Sequence, residues 1–330
     1  MIHFVQFEEQ YVPKMATLLA ARHADERQRF PFLQERFEDI EQAENRLREE
    51  LEKPYTGGLV TLRDEDVIGY LLYEYRQDAT RGRTVYVGYP SFVIHEDEHP
   101  RLARLMYTEA GAEWVRNGYF EHLMDIPVGN DELILEMLEQ SFHFEQRFAA
   151  LSLEHYRAQP GENSLVKMKE LVGDEQKTLH KMAPWNSLHQ AKAPAWKPIT
   201  QEALDAERDV FAAYEGKEGT RSWVAEQDEV PVAFHLFTPA DARHAMTTPD
   251  ESAVLVQATT NIKMRGQGIG KSIANHSFTQ MKNAGYKYVM TDWLTANHLA
   301  SYFWPKLGFR SYMIRMARTV DARISWADGQ

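Results

Sequence analysis

The sequence predicts a mixed α/β (α+β) fold made of two tandem copies of one domain, each a mixed, mostly antiparallel sheet flanked by helices. The first observation is an internal repeat: Gly118, Tyr119, Asp125, Asn130 and Phe142 recur as identical residues 167 positions later. The second is a polar stretch with a Pro-Gly turn at residues 157–164, between two apolar segments. The third is a shared order of elements, with a strand meander in the middle of each copy and alternating strands and helices near its end.

Each element follows from the period of its apolar residues, two for strands and 3.6 for helices. In the first copy this predicts strand Ile2–Phe7, helices Tyr11–Arg22 and Ile40–Leu51, strands Gly58–Arg63, Val67–Arg76 and Thr84–His95, helix Arg101–Asn117, strand His122–Ile126, helix Asp131–Gln140 and strand Phe144–His155. In the second it predicts strand Leu165–Lys169, helices Asp174–Met182 and Gln201–Tyr214, strands Ser222–Glu226, Pro231–Thr238 and Ala253–Ile262, helix Ile269–Asn283, strand Tyr288–Asp292, helix His298–Leu307 and strand Ser311–Arg318. We place the domains at 1–157 and 164–330.

Composition excludes several function classes. The 330 residues contain no cysteine, which rules out disulfides, thiolate nucleophiles and cysteine-bound metal centres. The net charge of -12 is concentrated in residues 1–160, which carry 30 acidic and 17 basic residues. Such a half repels nucleic acid and anionic lipid. With no apolar membrane span and no leader pattern at the start, we expect a cytoplasmic protein.

The segment Arg265-Gly266-Gln267-Gly268-Ile269-Gly270-Lys271-Ser272 is the most informative part of the sequence. It joins a β-rich run to an amphipathic helix, so glycines precede a helix N-terminus whose free N–H groups attract anions. A Walker A loop would need glycine at Arg265, and a Rossmann fingerprint would need different glycine spacing. The pattern Arg-x-x-Gly-x-Gly fits without adjustment.

This pattern resembles the pyrophosphate loop of the GCN5-related N-acetyltransferase (GNAT) superfamily. The resemblance continues in Asn297-His298-Leu299-Ala300 and in Leu307-Gly308-Phe309. It implies that acetyl-coenzyme A (acetyl-CoA) binds the second copy as a cosubstrate, without a metal. The residues that it assigns to the cofactor are Ala258, Thr259 and Thr260 for the pantetheine arm, Arg265, Gly266, Gln267, Gly268, Ile269, Gly270 and Lys271 for the pyrophosphate, and Asn297 and Trp304 beside the pantetheine.

The first copy departs from this pattern. By the 167-residue offset, Glu98, Arg101 and Ala103 occupy the positions of Arg265, Gly268 and Gly270. A carboxylate repels a pyrophosphate, and a side chain at the second position blocks the close approach of the backbone. We therefore expect domain 1–157 to be a degenerate copy without the cofactor site. A metal site at His95, Asp97 and His99 is the less favoured interpretation.

The catalytic residues are weakly marked. The superfamily often protonates the leaving thiolate with a tyrosine seven residues after the asparagine, where this chain has Trp304. Tyr302 lies about 200° around the helix from the expected position, so its role as the acid is open. For the base, Asp292, His276 or Gln257 acting through water are candidates, and we select Tyr302 and Asp292 as the catalytic pair. The insert Met182–Pro198 is expected either to edge the acceptor pocket or to pack against the neighbouring domain.

The resemblance favours a cytoplasmic N-acetyltransferase that moves the acetyl group to a primary amine of a small molecule by direct attack. The expected partners are this amine and, at most, a second copy of the chain, without nucleic acid or membrane. Two alternatives stay open: a coenzyme A-binding sensor or scaffold without turnover, and an aminoacyl transferase of the tandem type.

Overall fold

The computed structural model describes residues 1–78, 80–158, 160, 163–242 and 245–327. Gln159, Gly161 and Glu162, which belong to the predicted break at 157–164, lie outside the described residues. None of the helices in the described part of the chain has the length and apolar character needed to span a bilayer.

The strands are β1 Ile2–Gln6, β2 Thr56–Arg63, β3 Asp66–Asp78, β4 Gly82–Val87, β5 Phe92–Ile94, β6 Glu121–Pro127, β7 His143–Ser152, β8 Lys167–Leu171, β9 Arg221–Gln227, β10 Val230–Pro239, β11 Ser252–Thr260, β12 Tyr288–Leu294 and β13 Arg310–Thr319. The helices are α1 Val12–Arg29, α2 Ile40–Leu51, α3 Leu102–Arg116, α4 Asp131–Glu139, α5 Pro184–Gln190, α6 Gln201–Tyr214, α7 Ile269–Asn283 and α8 His298–Lys306. Short 3₁₀ helices lie at Glu9–Tyr11, Glu35–Glu38, Tyr89–Ser91, Gly173–Lys181, Ile262–Met264 and Ala322–Ser325.

The chain forms two compact units. Unit 1 contains Met1–Arg147 and the strand from Tyr312 onward, and unit 2 contains Phe148–Ala242 and Thr248–Ser311. The strand order is β1-β2-β3-β4-β6-β13 in unit 1 and β7-β12-β11-β10-β9-β8 in unit 2. β4 and β6 pair in parallel in unit 1, as do β11 and β12 in unit 2, and the pairs β1–β2, β2–β3, β3–β4, β6–β13, β8–β9, β9–β10 and β10–β11 are antiparallel. The predicted mixed, mostly antiparallel sheet flanked by helices is therefore confirmed.

The strand that closes each sheet comes from the other sequence copy. In unit 1, β13 pairs antiparallel with β6, with Ile314 opposite Ile126, and Ile314 and Met316 enter the apolar core of that unit. In unit 2, the end of β7 contributes Ala149 and Leu151 to the core. The compact units thus differ from the ranges 1–157 and 164–330, because a repeat search assigns each closing strand to its own copy.

A buried ion pair fixes β13 in unit 1. Asp125 on β6 is 3% exposed, and its two carboxylate oxygens accept from Nε and Nη2 of Arg315 on β13, at 2.8 and 3.0 Å. The hydroxyl of Tyr86 on β4 donates to the same carboxylate, and the pair raises the pKa of Arg315 above its ordinary value despite burial. Removing one partner of such a pair leaves an uncompensated buried charge, a loss of about 3–5 kcal/mol.

Two elements differ from their predicted form. The predicted strand Thr84–His95 is divided into β4 and β5 by the 3₁₀ turn at Tyr89–Ser91, where Pro90 has no N–H to donate to a neighbouring strand. The insert Met182–Pro198, predicted without regular structure, contains α5, which begins at Pro184 because proline suits the first helical position.

Among the residues that the structure describes, three histidines are buried in the neutral form. In unit 1, His23 bonds the hydroxyl of Tyr89 and the carbonyl oxygen of Gln34, and burial lowers its pKa to about 4. His122 is held by the Tyr107 hydroxyl and a backbone carbonyl, and burial also lowers its pKa to about 4. In unit 2, burial lowers the pKa of His235 to about 3.

These histidines make stability depend on pH. Below pH 6.5 the histidines become protonated in the unfolded chain but stay neutral in the folded one. Their contribution to the free energy of unfolding is therefore complete above pH 6.5 and is lost as the pH falls toward 4. Glu26 opposes this trend, because burial raises its pKa to about 7 and the folded chain gains stability from it as the pH falls. Burial also lowers the pKa of His189 and raises that of Glu207, and these two effects oppose each other. Because the three buried histidines outnumber Glu26, we expect the free energy of unfolding to decrease from pH 6.5 to pH 5.

Denaturant unfolding of two variants tests this. Each group that differs by one bound proton contributes about 1.4 kcal/mol per pH unit, so His122→Gln should make the decrease shallower by about that amount. The exposed His143 serves as the control, and His143→Gln should leave the slope unchanged. Equal slopes for the wild type and His122→Gln would contradict a neutral buried imidazole.

Candidate functional site

The site of unit 2 lies where two parallel strands separate. β11 and β12 pair only from Ser252 opposite Tyr288 to Val254 opposite Met290, after which the strands diverge. The rest of β11 keeps its antiparallel partner β10, up to Thr260 opposite Ala233. The side of Leu255–Thr260 that turns away from β10 therefore has no strand to pair with. Its backbone N–H and C=O groups can accept a ligand in place of a strand.

The glycine-rich loop continues directly from this strand end. Gly266 and Gly268 have φ angles of 78° and 80°, in the left-handed region that side chains rarely adopt. Gly268 is the N-cap of α7, so it turns the chain into the helix without a side chain over the helix end. A Cβ on Gly270 would lie 3.4 Å from Oγ1 of Thr260, which shows how closely the loop and the strand approach.

Helix α7 presents its N-terminus to the same place. The N–H groups of the first turn have no acceptor within the helix, and its dipole places about half a positive charge there. The loop is held by the chain after residue 162: Nδ2 of Asn163 donates to the Gln267 carbonyl oxygen, at 2.9 Å, and its N–H donates to Oγ of Ser272, at 2.7 Å. The Lys271 ammonium donates to the carbonyl oxygen of Pro160 at 2.8 Å.

Strand end, loop and helix α8 enclose a cavity of about 380 Å³. Most of its lining residues belong to the predicted cofactor set: Ala258, Thr259, Thr260, Arg265, Gly266, Gly268, Ile269, Gly270, Lys271, Asn297 and Trp304. Gln267 does not line it, and its backbone carbonyl oxygen accepts from Nδ2 of Asn163. The structure thus brings together in one place residues that are 46 positions apart in the sequence.

Helix α5 contributes side chains that the sequence did not single out. Asn186 and His189 line the cavity. His189 accepts at Nδ1 from the Arg265 guanidinium, at 3.0 Å, and donates from Nε2 to Oδ1 of Asn297, at 3.1 Å. The imidazole is therefore neutral, with its proton on Nε2. Burial and the Arg265 charge both lower the pKa of His189.

A second imidazole, His235 on β10, also lines the cavity. Its Nδ1 lies 2.9 Å from Oγ of Ser277, and the Ser277 hydroxyl donates to the carbonyl oxygen of Ala274. Nδ1 therefore donates to Ser277, and the lone pair of the neutral ring is on Nε2. The ring centroid lies 6.3 Å from that of Trp304.

Comparison with known families decides what this arrangement belongs to. Residues 185–309 match the model of the acetyltransferase (GNAT) family. The second unit is a GNAT domain. The chemistry of this family is acyl transfer. No curated protein matches the sequence.

Solved structures share the tandem GNAT fold over almost the whole chain. A tandem GNAT protein from the clavulanic acid biosynthesis pathway is 12% identical, with coverage of 97% of this chain and 98% of that chain and a TM-score of 0.53. A GCN5-related N-acetyltransferase from Sphaerobacter thermophilus is 13% identical, with coverage of 96% and 95% and a TM-score of 0.60. The predicted pair of tandem GNAT-like domains is confirmed.

Within the GNAT domain, the two selected catalytic residues lie outside the cavity lining. Tyr302 on α8 is 68% exposed, and Asp292 on β12 is also exposed. His276 and Gln257, the other candidates for the base, do not line the cavity either. Trp304 does line it and is 7% exposed. The catalytic assignment of Tyr302 and Asp292 stays a prediction.

The insert before α6 serves the GNAT domain in two ways. Its α5 side chains Asn186 and His189 reach the cavity, and Trp185 packs against Phe234, with ring centroids 6.4 Å apart. Sequence periodicity could not identify His189, because its partner Asn297 lies 108 residues away. The length of the insert was the one sequence feature that indicated a role for this segment.

Unit 1 has different chemistry at the equivalent loop. The Glu98 carboxylate pairs with Arg63, at 2.6 Å, and Arg101 is the N-cap of α3. The imidazoles of His95 and His99 accept backbone N–H groups of their own turns, from Asp97 and Arg101. In the described residues, His, Asp and Glu side chains form no group of three that could hold a metal ion.

The contact between His189 and Arg265 predicts the direction in which the pKa of His189 changes when Arg265 is replaced. Because Arg265 donates to the unprotonated Nδ1 and repels a proton there, Arg265→Met should raise the pKa of His189, measured by NMR from the imidazole Cε1 proton. Lys192 also lowers this pKa, through charge alone, so Lys192→Met is the matched control and should give a smaller rise. An unchanged or lower pKa in Arg265→Met would contradict the contact.

Proposed function

We propose that the chain is an N-acetyltransferase that moves an acetyl group from acetyl-CoA, bound in unit 2, to a primary amine of a small molecule. The observation that carries the proposal is the cavity itself: an unpaired strand edge, a left-handed glycine loop and a helix N-terminus converge on one space. The strand edge suits the pantetheine amides and the thioester carbonyl of acetyl-CoA, and the loop and the helix N-terminus together suit its pyrophosphate.

The strand edge suits the pantetheine arm. Its amide groups need both donors and acceptors, and the free side of Ala258–Thr260 offers both in alternation. Asn297 is the N-cap of α8, and its Oδ1 already accepts from the Ala300 N–H and from His189. Its amide N–H₂ is then the part of Asn297 left to contact the arm.

The loop suits the pyrophosphate. Backbone N–H groups from Gly266 to Lys271 surround a space that glycine keeps open, and the α7 dipole favours an anion there. Arg265 adds a guanidinium whose Nε donates to the Thr260 carbonyl oxygen, at 3.2 Å. Burial lowers the pKa of Arg265, so a bound anion would offset the cost of burying this charge.

The chemical step needs little from side chains. The neutral amine nitrogen attacks the thioester carbonyl carbon, the carbon–sulfur bond breaks and the thiolate of coenzyme A leaves. The nitrogen gives its extra proton to this thiolate, directly or through water. Main-chain N–H groups of the strand end would polarise the carbonyl as its oxygen becomes negative. Direct attack agrees with a chain that has no cysteine to form an acyl-enzyme. Rate enhancement would come mainly from positioning.

Charge favours a cationic acceptor. The 30 acidic and 17 basic residues of positions 1–160 create a field that attracts ammonium compounds and repels acids. The same field argues against a polyanionic acceptor such as RNA.

A specific observation also supports a second candidate, a coenzyme A-binding protein without turnover. His189 bonds both Arg265 and Asn297, and the predicted acid Tyr302 lies outside the cavity lining. A thiol-release assay against a panel of amines separates the candidates, since a sensor would bind acetyl-CoA and release no thiol with any amine.

The first test concerns the loop. Gly268→Leu should abolish acetyl-CoA binding in calorimetry of the full chain, because a side chain there closes the approach to the backbone. Gly285 ends the same helix, also has a left-handed φ of 92°, and has open space around it. Gly285→Leu therefore carries the same backbone strain of about 1–2 kcal/mol without touching the cavity, and should bind like the wild type.

The wild-type titration should show one site per chain. Two equivalent sites would mean that unit 1 also binds acetyl-CoA, and unimpaired binding by Gly268→Leu would remove the loop from the cofactor site. Either result contradicts the proposal.

The second test concerns the acid. Because Tyr302 is exposed and outside the cavity lining, Tyr302→Phe should lower kcat by less than about tenfold, whereas a positioned acid contributes about 10²–10⁴-fold. A thiol with an ordinary pKa near 8.5 leaves readily without help. A loss of about 10³-fold with intact acetyl-CoA binding would instead make Tyr302 the acid.

A further inference from the structure

Unit 1 contains a cleft at the position that corresponds to the cofactor cavity of unit 2. β4 and β6 pair in parallel only as far as Val87 opposite Met124, and beyond this point β5 pairs with β3 instead. The space between β5 and the end of β6 is a cavity of about 810 Å³. Helix α1, the turn after β5 and the N-terminus of α4 complete its walls.

The charges that line this cleft favour a cation. Seven carboxylates line it. Those of Asp25, Glu98 and Asp125 are already paired with Arg29, Arg63 and Arg315, which leaves Glu26, Glu96, Asp131 and Glu132 against the guanidinium of Arg22. Arg22 keeps its charge, although its two terminal nitrogens donate to the carbonyl oxygens of Phe92 and Tyr89, at 2.8 and 2.7 Å, so four carboxylates still outnumber it. Asp131 and Glu132, in contrast, are exposed at the start of α4. A polyanion such as a pyrophosphate would be repelled here.

One carboxylate in the cleft is buried with an oxygen atom that has no hydrogen-bond partner. Glu26 on α1 lines the cavity, its side chain is only 4% exposed, and its Oε2 has no hydrogen-bond partner. The nearest cationic atom is Nη1 of Arg29, which lies 3.9 Å from the other oxygen. A buried carboxylate oxygen without a donor is costly, and an ammonium group supplies charge and N–H donors together.

The remaining lining identifies the shape of the cation. Leu18, Phe92 and Ile126 contribute apolar surface beside Glu26. Apolar walls with a deep carboxylate and further carboxylates at α4 suit a chain of methylene groups with an ammonium at each end. A small hydrated metal ion would leave the apolar surface without contacts.

We propose that the cleft of unit 1 is a binding site for an aliphatic amine in its ammonium form, with the Glu26 carboxylate as the acceptor of the buried ammonium group and Asp131 and Glu132 attracting the outer one. This goes beyond acetyl transfer, because it assigns a ligand to the copy that lacks the cofactor loop. Binding here requires neither acetyl-CoA nor turnover.

Calorimetry of the full chain with 1,5-diaminopentane, in the absence of acetyl-CoA, at pH 8 and low salt, tests the site. We expect saturable binding that Glu26→Gln weakens at least tenfold. Glutamine resembles the protonated carboxyl group in shape, and a thermal melt verifies that the variant folds. Glu109→Gln on the exposed side of α3 removes the same charge away from the cleft and should change the affinity less than twofold.

Four results would overturn the proposal. Wild-type affinity in Glu26→Gln would remove the acceptor, even if a diamine binds elsewhere in the chain. Equal losses of diamine affinity in Glu26→Gln and Glu109→Gln would show that the net charge of the chain, and not the Glu26 carboxylate, determines binding. Binding of 1,5-pentanediol as tight as that of the diamine, or displacement of the diamine by Mg²⁺ beyond what Na⁺ achieves at equal ionic strength, would show that the ligand class is wrong.

Proton release supplies a second readout that a structural role would not give. Burial raises the pKa of Glu26 to about 7, against the lowering effect of Arg22 and Arg29 and with a small rise from Asp25. Tyr89 faces it from the segment before β5. An ammonium that binds Glu26 must displace its proton near pH 6.5, so binding heats should differ between phosphate and Tris buffers. Identical heats in the two buffers would contradict direct contact with Glu26.

Discussion

The end of parallel pairing between β11 and β12 is the constraint from which the rest of unit 2 follows. Past Val254 and Met290, the outer edge of β11 has no neighbouring strand, and its backbone groups need other partners. The glycine loop, the start of α7 and the aromatic face of α8 all converge on this opening. Replacing either strand end by a paired one would remove the cavity without changing any side chain that lines it.

The two units show how the same opening acquires different chemistry. Both have one parallel pair that ends early, but in unit 2 the opening meets glycines and a bare helix N-terminus. In unit 1 it meets the 3₁₀ turn at Tyr89–Ser91 and a set of carboxylates. Backbone topology therefore sets where a ligand can lie, while a few residues at the loop decide the sign of its charge. The two copies of the repeat therefore share the position of the opening but differ in the charge of the residues around it.

The fold and the glycine-rich loop could be predicted from sequence because their signals are local. Glycine spacing, the N-cap Asn297 and the period of α7 each lie within one short segment. His189 and His235 could not be predicted, because their contacts with Asn297 and Ser277 depend on how distant segments meet. The exchange of β7 and β13 was also hidden, since a repeat shows which residues correspond and not which sheet they join. For Tyr302, helical periodicity gives the angle of the side chain around α8, but it does not show which side of α8 lines the cavity.

The ion pair between Asp125 and Arg315 links residues that are 190 positions apart. During synthesis on the ribosome, all of β1 to β6 emerges long before the strand that completes their sheet. Until β13 has been synthesised, β6 has an unpaired edge and the Asp125 carboxylate has no guanidinium partner. The sheet of unit 1 therefore stays incomplete. Long-range pairing of this kind slows folding and exposes strand edges to association. Truncation of the chain before Tyr312 would therefore destabilise unit 1, although most of unit 1 comes from the N-terminal half of the sequence.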